Sequence, residues 1–143
     1  MKELRYRILF LTSWYPNRLS NVLGMFVKRK AESLSKLCDL SVLFVTMDDS
    51  LKDKKYEIVS GYENGVFIVR VYFKPFSFGL IRLLFYNLSF IKAHYLGLKT
   101  IKMQWGSFDL IHVNVVNRAG FIALLLNKLR GIKYVITEHS LLI

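Results

Sequence analysis

The stretch that decides the fold is Ile8 to Lys36, ILFLTSWYPNRLSNVLGMFVKRKAESLSK. At its start, the apolar run Arg7–Thr12 predicts a strand that is covered on both faces in a parallel sheet. A proline and an Asn/Ser cluster then predict a loop, and apolar residues recurring on one face predict a helix from Gly24 to about Leu37. A loop that leaves a strand and opens a helix can hold backbone N–H groups against a charged ligand.

Strands and helices alternate along the rest of the chain. This alternation predicts an α/β fold, with a Rossmann-like, mostly parallel sheet, helices on both faces and a β-hairpin insertion. The length of 143 residues corresponds to one domain. The further predicted elements are strands at Leu40–Thr46, Asp109–Val113 and Lys133–Thr137, and helices at Leu80–Met103 and Arg118–Arg130.

Local signals predict the hairpin and one helix start. Tyr56–Ser60 and Val66–Phe73 are rich in strand-forming residues, and the Asn64-Gly65 pair between them favours a hairpin turn. Asn117 has the side chain of a good N-cap and stands directly before the last predicted helix.

The predicted sheet places its ligand site at one edge. Ligands of open α/β sheets bind outside the carboxyl ends of the strands, where the strand order reverses. In the usual doubly wound order, the first strand and Asp109–Val113 flank that point, so the loops that follow them face each other. The loops at this edge are Thr12–Gly24, Thr46–Ser50, Asn114–Asn117 and Glu138–Ser140.

The composition argues against several classes of protein. The single cysteine, Cys38, excludes an internal disulfide and argues against a cysteine-based zinc site, which fits a reducing compartment. The apolar run near Met1 is too short for a signal peptide, and Arg82 interrupts the longest apolar region. We therefore expect a cytoplasmic protein.

The net charge of +11 points to an acidic partner. Nucleic acid, anionic lipid headgroups and phosphorylated small molecules all fit such a charge. The basic residues are scattered and not gathered in one tract, so a solvated basic surface explains the charge equally well. The long predicted helix either fills a groove on the sheet, which its apolar first half favours, or contacts a membrane through its basic edge.

Two features of the first loop suggest ligand contacts. Gly24 either lets the backbone approach a phosphate or sugar closely, or is simply the turn glycine that starts the helix. The aromatic cluster Trp14 to Pro16 either stacks on a sugar or base, or plugs the sheet edge, and the plug is the commoner arrangement.

Two histidines and an asparagine follow the later strands. His112 lies within a strand and is interpreted as a core histidine, whereas Asn114 sits at the strand's end and is the better ligand candidate. His139 follows the last strand beside Glu138, whose carboxylate can raise its basicity or orient its ring. Neighbours on an extended chain point to opposite faces, however, so Glu138 need not touch His139.

Two other polar features are interpreted as structural. The adjacent aspartates Asp48 and Asp49 are interpreted as solvated turn residues in preference to a metal site. Cys38 stands between a helix and a strand, with no histidine nearby in sequence, and is interpreted as a packed thiol.

Three stretches resemble the N-terminal half of a family 4 glycosyltransferase of the GT-B fold. The first, Ile8–Leu34, resembles the family's opening strand, its glycine loop and the following helix. The second is DLIHVNVVNRAGFIALLLNKLRGIKYVIT, Asp109–Thr137, which resembles a middle strand and helix. The third is YVITEHS, Tyr134–Ser140, which resembles the strand that ends in a histidine.

The resemblance implies a retaining sugar transfer from a nucleotide-sugar donor to an acceptor hydroxyl, with no metal or other cofactor required. By position, His139 would be the catalytic residue near the transferred sugar. Gly24 would lie near the donor phosphates and the acceptor, with Ser13, Asn114 and Glu138 as further substrate-binding residues. Many members have a histidine where this chain has Asn114, so the resemblance does not support a proton-transfer role at this position.

The resemblance also implies partners outside this sequence. The family's C-terminal nucleotide-sugar domain is absent from residues 1–143, and we expect an incomplete N-terminal, acceptor-side domain that is inactive alone. The implied function is cell-envelope polysaccharide synthesis, with a glycan or lipid-linked acceptor, at the inner face of an anionic membrane. The alternative is a non-catalytic basic α/β module that binds nucleic acid or an anionic surface. The first hypothesis is favoured, with no nucleic acid partner, because the basic residues are not interleaved with aromatics on one face.

Overall fold

The computed structural model describes residues 4–75 and 79–138. Its elements, in chain order, are β1 (Arg7–Thr12), α1 (Met25–Leu34), β2 (Asp39–Met47), β3 (Tyr56–Glu63), β4 (Val66–Phe73), a 3₁₀ turn (Gly79–Ile81), α2 (Arg82–Gln104), β5 (Leu110–Asn114), α3 (Ala119–Arg130) and β6 (Tyr134–Thr137).

The described strands form one six-stranded sheet in the order β3-β4-β2-β1-β5-β6. Every neighbouring pair is parallel except β3 and β4, which are antiparallel and joined through Asn64 and Gly65. Both turn residues have positive φ, as a tight hairpin requires. The predicted α/β class, the mostly parallel sheet and the hairpin insertion are confirmed, and the arrangement is consistent with a Rossmann-like fold.

Helices cover both faces of this sheet, as predicted. Leu9 and Leu11 of β1 belong to the core that α2 and α3 cover, while Phe10 between them belongs to the core that α1 covers. The alternation of side chains along the strand assigns successive residues to the two layers. Val27 and Ala31 are fully buried and form the apolar face of α1.

The first helix is shorter than predicted. It begins at Met25 and ends at Leu34, whereas the sequence pattern extends to about Leu37. The Ser35 hydroxyl donates to the Glu32 carbonyl at 2.7 Å, so a side chain satisfies a terminal carbonyl and the chain turns into β2. The buried Cys38 thiol donates to the Leu34 carbonyl at 3.3 Å, which confirms the packed thiol.

The N-cap prediction for the last helix is wrong. Arg118, and not Asn117, directly precedes α3, and Arg118 already has helical backbone angles and makes no capping bond with its side chain. The hydroxyl of Ser13 in the first loop instead accepts a hydrogen bond from the Ala119 N–H at 3.4 Å. A residue distant in sequence has taken the capping role.

The predicted burial of the first half of α2 is only partly correct, because its first turns are exposed. Ala93, Gly97 and Ile101 in the later turns pack on the sheet, whereas Leu83 and Leu84 in the first turn are more than half exposed. Phe73 is the last residue of β4, and the α2 rings it contacts lie at Tyr86 and Phe90, 5.5 and 6.4 Å away. The turns before Tyr86 therefore extend past the end of the neighbouring strand.

Candidate functional site

The strand order reverses between β1 and β5, and we call the carboxyl-end edge of these two strands, with the loops that leave it, the crevice. The two strands are parallel neighbours, and Thr12 pairs with Asn114 at their carboxyl ends. The strands on the β2 side precede the long helix in sequence, and β5 and β6 follow it. The predicted switch point is therefore present, and loops leave its two sides at Ser13 and Val115.

Ser13 joins the two walls of the crevice. Its hydroxyl oxygen accepts the hydrogen bond from the Ala119 N–H at the start of α3. The predicted substrate-binding Ser13 is thus held against the N-terminus of a helix on the opposite wall. Backbone N–H groups at such a terminus favour negatively charged or hydroxyl ligands.

Asn114 and Lys30 form a polar pair within the crevice. Asn114 is fully buried, and its Oδ1 accepts a hydrogen bond from Lys30 Nζ at 3.1 Å, while its Nδ2 donates to the His112 carbonyl at 3.2 Å. Burial lowers the pKa of Lys30. An ammonium group has three donors, so Lys30 can hold Asn114 and a ligand oxygen together.

Lys30 is a site residue that the sequence interpretation missed. It comes from α1, between the buried positions Val27 and Ala31, and reaches across to the end of β5. The sequence did contain a signal for Lys30, because it stands three positions after the apolar Val27 and therefore lies on the same side of the helix. A lysine on the sheet-facing side of an amphipathic helix indicates a cation directed at the sheet's edge.

His112 is half-buried and has partners inside the sheet. Its Nε2 lies 2.7 Å from the Thr137 hydroxyl of β6, and its ring meets the edge of Phe10 at 4.9 Å between centroids. These contacts agree with the interpretation of His112 as a core histidine, although its side chain is only partly buried. His112 and Asn114 share one face of β5, on the side that also holds Lys30.

Gly24 packs against the backbone of its own loop. It is buried, with φ of 70°, and a Cβ atom there would lie 2.5 Å from both the carbonyl carbon and oxygen of Trp14. Both facts require glycine, whatever ligand the loop binds. The turn before α1 therefore has a structural need for this residue.

The loop after β5 contains a strained residue. Val115 has a φ of 60°, is buried, and donates its N–H to the Thr137 carbonyl at 3.2 Å. A β-branched residue with positive φ is a conformational outlier of the kind that clusters at functional sites. Glu138 braces the same loop, because its Oε2 accepts a hydrogen bond from the Val116 N–H at 3.1 Å. The predicted catalytic residue His139 lies outside the described residues.

The aromatic cluster in the first loop packs into the core at the sheet edge, as the commoner of the two predicted arrangements requires. Tyr15 is fully buried in the α1-side core, and its hydroxyl has no hydrogen-bond partner among the described residues. Burial raises the pKa of Tyr15. Arg70 of β4 fixes the loop beside it by donating to the Pro16 carbonyl at 2.9 Å, while pairing with Glu63 at 2.7 Å.

The interpretation of Asp48 as a solvated turn residue is wrong. Its side chain is 1% exposed, and its carboxylate accepts hydrogen bonds from Arg18 at 2.6 and 2.9 Å and from the Ser50 hydroxyl at 2.6 Å. Arg18 also binds Glu57 at 2.8 Å and lies 3.8 Å over the Tyr72 ring. The tip of the first loop is thereby clamped to the end of the sheet.

We expect Asp48→Asn to lower the free energy of unfolding by about 2 kcal/mol, because it leaves Arg18 without its most buried partner. Hydrogen bonds from Ser50 and the nearby Arg18 lower the pKa of Asp48. The stability that Asp48 contributes is therefore complete above the ordinary aspartate pKa and is lost as the pH falls through the lower folded-state value.

Urea unfolding of Asp48→Asn at neutral and acidic pH measures this effect, with the exposed Asp49→Asn as its matched control. The variant should lose less stability than the wild type as the pH falls. Equal unfolding curves for the two variants would show that the clamp contributes nothing.

Comparisons with known proteins supply no family for this chain. No protein-family model matches it, and no curated protein matches it. Its own residues must therefore support any functional interpretation. Within residues 4–75 and 79–138, no group of three or more His, Cys, Asp or Glu side chains is placed to hold a metal ion. No helix in the described part of the chain has the length and apolar character to cross a membrane.

Proposed function

We propose that this chain is the N-terminal, acceptor-side domain of a retaining glycosyltransferase of the GT-B type. The observation that carries the proposal is the Lys30–Asn114 pair at the crevice between β1 and β5, in which Asn114 is fully buried and Lys30 is partly exposed. It provides a cation and an amide at the edge where open α/β sheets bind ligands. The sequence resemblance in Ile8–Leu34 and Asp109–Thr137 supports the same assignment.

The proposed reaction needs little covalent chemistry from this domain. The acceptor oxygen forms a bond to the anomeric carbon of the donor sugar, and the bond from that carbon to the phosphate oxygen breaks. The acceptor proton passes to the departing nucleoside diphosphate, and the configuration at the anomeric carbon is retained. The domain's task is to hold the acceptor hydroxyl near the anomeric carbon, which contributes by proximity and orientation.

Each predicted site residue has a part in this proposal. Lys30 binds an acceptor oxygen, Asn114 holds the Lys30 ammonium group from the end of β5, and Ser13 orients the start of α3 beside them. Glu138 fixes the loop after β5 from the end of β6, and His139 is the next residue along the chain. We propose that His139 acts beside the transferred sugar and that Gly24 shapes the loop next to it. The donor nucleotide binds a second domain, and no metal or other cofactor is needed.

A substitution at Lys30 should affect acceptor binding more than turnover. We expect Lys30→Met in the full-length transferase to raise the KM for the acceptor about tenfold with kcat little changed, since binding contacts act alike on ground and transition states. Steady-state kinetics at saturating donor measure this. Lys28→Met, on the same helix but paired with Glu32 at 3.9 Å, is the control and should keep the wild-type KM.

A transfer assay tests the function itself. The full-length protein is incubated with membranes as the acceptor source and with nucleotide sugars, each labelled in the sugar. We expect one donor to release its nucleotide in step with label appearing in the glycan or lipid fraction. Absence of incorporation from every donor of a complete panel would contradict the proposal.

A further inference from the structure

The start of the long helix exposes a continuous apolar surface. Leu80 is fully exposed, and Leu83, Leu84 and Leu88 are 66%, 57% and 53% exposed. Ile81 between them is half exposed. We name these five residues the α2 apolar surface. Contiguous apolar patches of this kind mark binding surfaces, whereas single exposed leucines carry no such meaning.

The apolar surface continues into a basic stripe on the same side of the helix. Leu84, Leu88, Lys92, Tyr95 and Lys99 follow each other at intervals of three or four residues and are all exposed. The helix rise places Leu84 and Lys99 about 22 Å apart along the axis. This outward side is therefore apolar at its start and positively charged towards its end.

The opposite side of the helix is fully occupied by the sheet. Ala93 and Ile101 are completely buried, and a Cβ atom added at Gly97 would meet the side chains of Leu43 and Val71. This close packing fixes the rotation of α2 about its axis. The outward stripe is therefore a fixed surface, with its leucines and lysines held in register.

The charge around this surface has one sign. Residues 64–108 contain no aspartate or glutamate, while α2 alone carries Arg82, Lys92, Lys99 and Lys102. In the described ranges, no ion pair involves any of these four side chains, although Lys92 Nζ lies 5.2 Å from the Tyr56 ring. The described ion pairs instead join acidic residues to basic residues of the N-terminal half. Residues 82–143 contain eight basic and only two acidic residues, whereas residues 1–81 contain thirteen basic and eight acidic ones, so the basic residues from α2 onward have far fewer acidic residues to offset them.

We propose that this face of α2 binds an anionic phospholipid membrane surface. Headgroup phosphates complement the uncompensated lysines, and the acyl region accepts the leucines at the start of the helix. A nucleic acid would satisfy the lysines but would leave the leucines in water. A protein partner would need acidic side chains placed around an apolar centre. An anionic bilayer offers both features over its whole surface and therefore fits more simply.

The surface adjoins the candidate site. Arg118, directly before α3, places its guanidinium 4.4 Å from the Tyr86 ring in the first turns of α2. The α3 terminus that Ser13 contacts is thus joined to the sheet-facing side of the same turns of α2. A bound membrane would lie beside the crevice, where a lipid-linked molecule could enter it. The membrane contact itself does not depend on the proposed transfer reaction.

Vesicle flotation tests this inference directly. The purified protein is mixed with phosphatidylcholine vesicles, with or without phosphatidylglycerol, and the bound fraction gives a partition coefficient. We expect binding only to the anionic vesicles. The triple variant Lys92→Gln, Lys99→Gln, Lys102→Gln should weaken it about 100-fold. The double variant Leu84→Ser, Leu88→Ser should weaken it at least about tenfold.

Matched controls separate this surface from net charge and general hydrophobicity. Lys36→Gln, Lys52→Gln, Lys54→Gln removes the same charge from other exposed positions, and Leu37→Ser removes an exposed leucine elsewhere. Both controls should keep most of the wild-type binding. Equal losses in controls and test variants would overturn the proposal.

Two other outcomes would also overturn it. Sedimentation velocity that shows a dimer, converted to monomer by Leu84→Ser, Leu88→Ser without any change in vesicle binding, would make this face a contact between copies. Binding to duplex DNA that exceeds binding to anionic vesicles at equal ionic strength would assign the lysines to nucleic acid. Circular dichroism and thermal unfolding confirm that each exposed-site variant remains folded.

Discussion

Replacing Gly24 with alanine should lower the free energy of unfolding by about 3 kcal/mol. A left-handed backbone at a non-glycine residue costs about 1 to 2 kcal/mol, and forcing an atom into a packed contact adds about 1 to 3 kcal/mol. Gly24 would incur both costs, because its φ is 70° and the new Cβ would lie 2.5 Å from the Trp14 carbonyl. The neighbouring element is backbone, which cannot move aside as a flexible side chain can.

Gly131 provides a control for the steric part of this cost. It ends α3 with φ of 66°, and a Cβ atom there would meet nothing within 4 Å. Gly131→Ala should therefore lose only about 1 kcal/mol, the conformational cost alone. Urea unfolding of both variants measures the difference. Similar losses at the two glycines would show that the first loop does not pack on α1 as described.

Replacing His139 with alanine should lower kcat for sugar transfer about 100-fold or more in the full-length enzyme. A group that acts in the transition state beside the transferred sugar contributes on this scale, and its removal lowers kcat and kcat/KM together. The substitution should leave the unfolding curve unchanged, because the proposed role is chemical.

Ser140→Ala, at the next position, is the control for His139 and should keep the wild-type rate. Measuring initial rates of transfer and unfolding curves for both variants separates chemistry from folding. Unchanged turnover in His139→Ala would remove this residue from the proposed mechanism.

Sequence patterns predicted the sheet well because its signals are local. β1 (Arg7–Thr12) is an apolar run with the predicted bounds, and Asn64-Gly65 gives a turn that few other residues adopt. The position of the crevice followed from strand alternation and a general rule for open sheets. Asn114 was identified as a ligand candidate for the same reason, since it ends a strand at that edge.

Contacts between distant residues were not predictable from those signals. Lys30 and Asn114 are 84 positions apart, and Arg18 and Asp48 are 30 apart, so no spacing in the sequence links them. The N-cap prediction at Asn117 failed because the Ser13 hydroxyl reaches the start of α3 from another loop. Local propensity identifies residue types that can cap or pair, and tertiary structure decides which ones do.

The long helix shows the limit of a composition argument. An apolar segment is usually buried, and that rule favoured burial of the first turns of α2. The end of β4 at Phe73 leaves the turns before Tyr86 with no strand beneath them, and Leu83, on the same side of the helix as Tyr86, is 66% exposed. The length of a neighbouring strand, which helix periodicity does not contain, determined the outcome.

Photocrosslinking of the acceptor tests the central claim most directly. A diazirine-bearing analogue of the acceptor identified in the transfer assay is irradiated with the full-length protein, and the labelled peptides are located by mass spectrometry. The crevice between β1 and β5 predicts labels on the peptides that contain Ser13 and Asn114, reduced by excess natural acceptor. The central claim would be contradicted if the labels that excess natural acceptor reduces were found only at the opposite end of the strands, around Asp39 or Gly65.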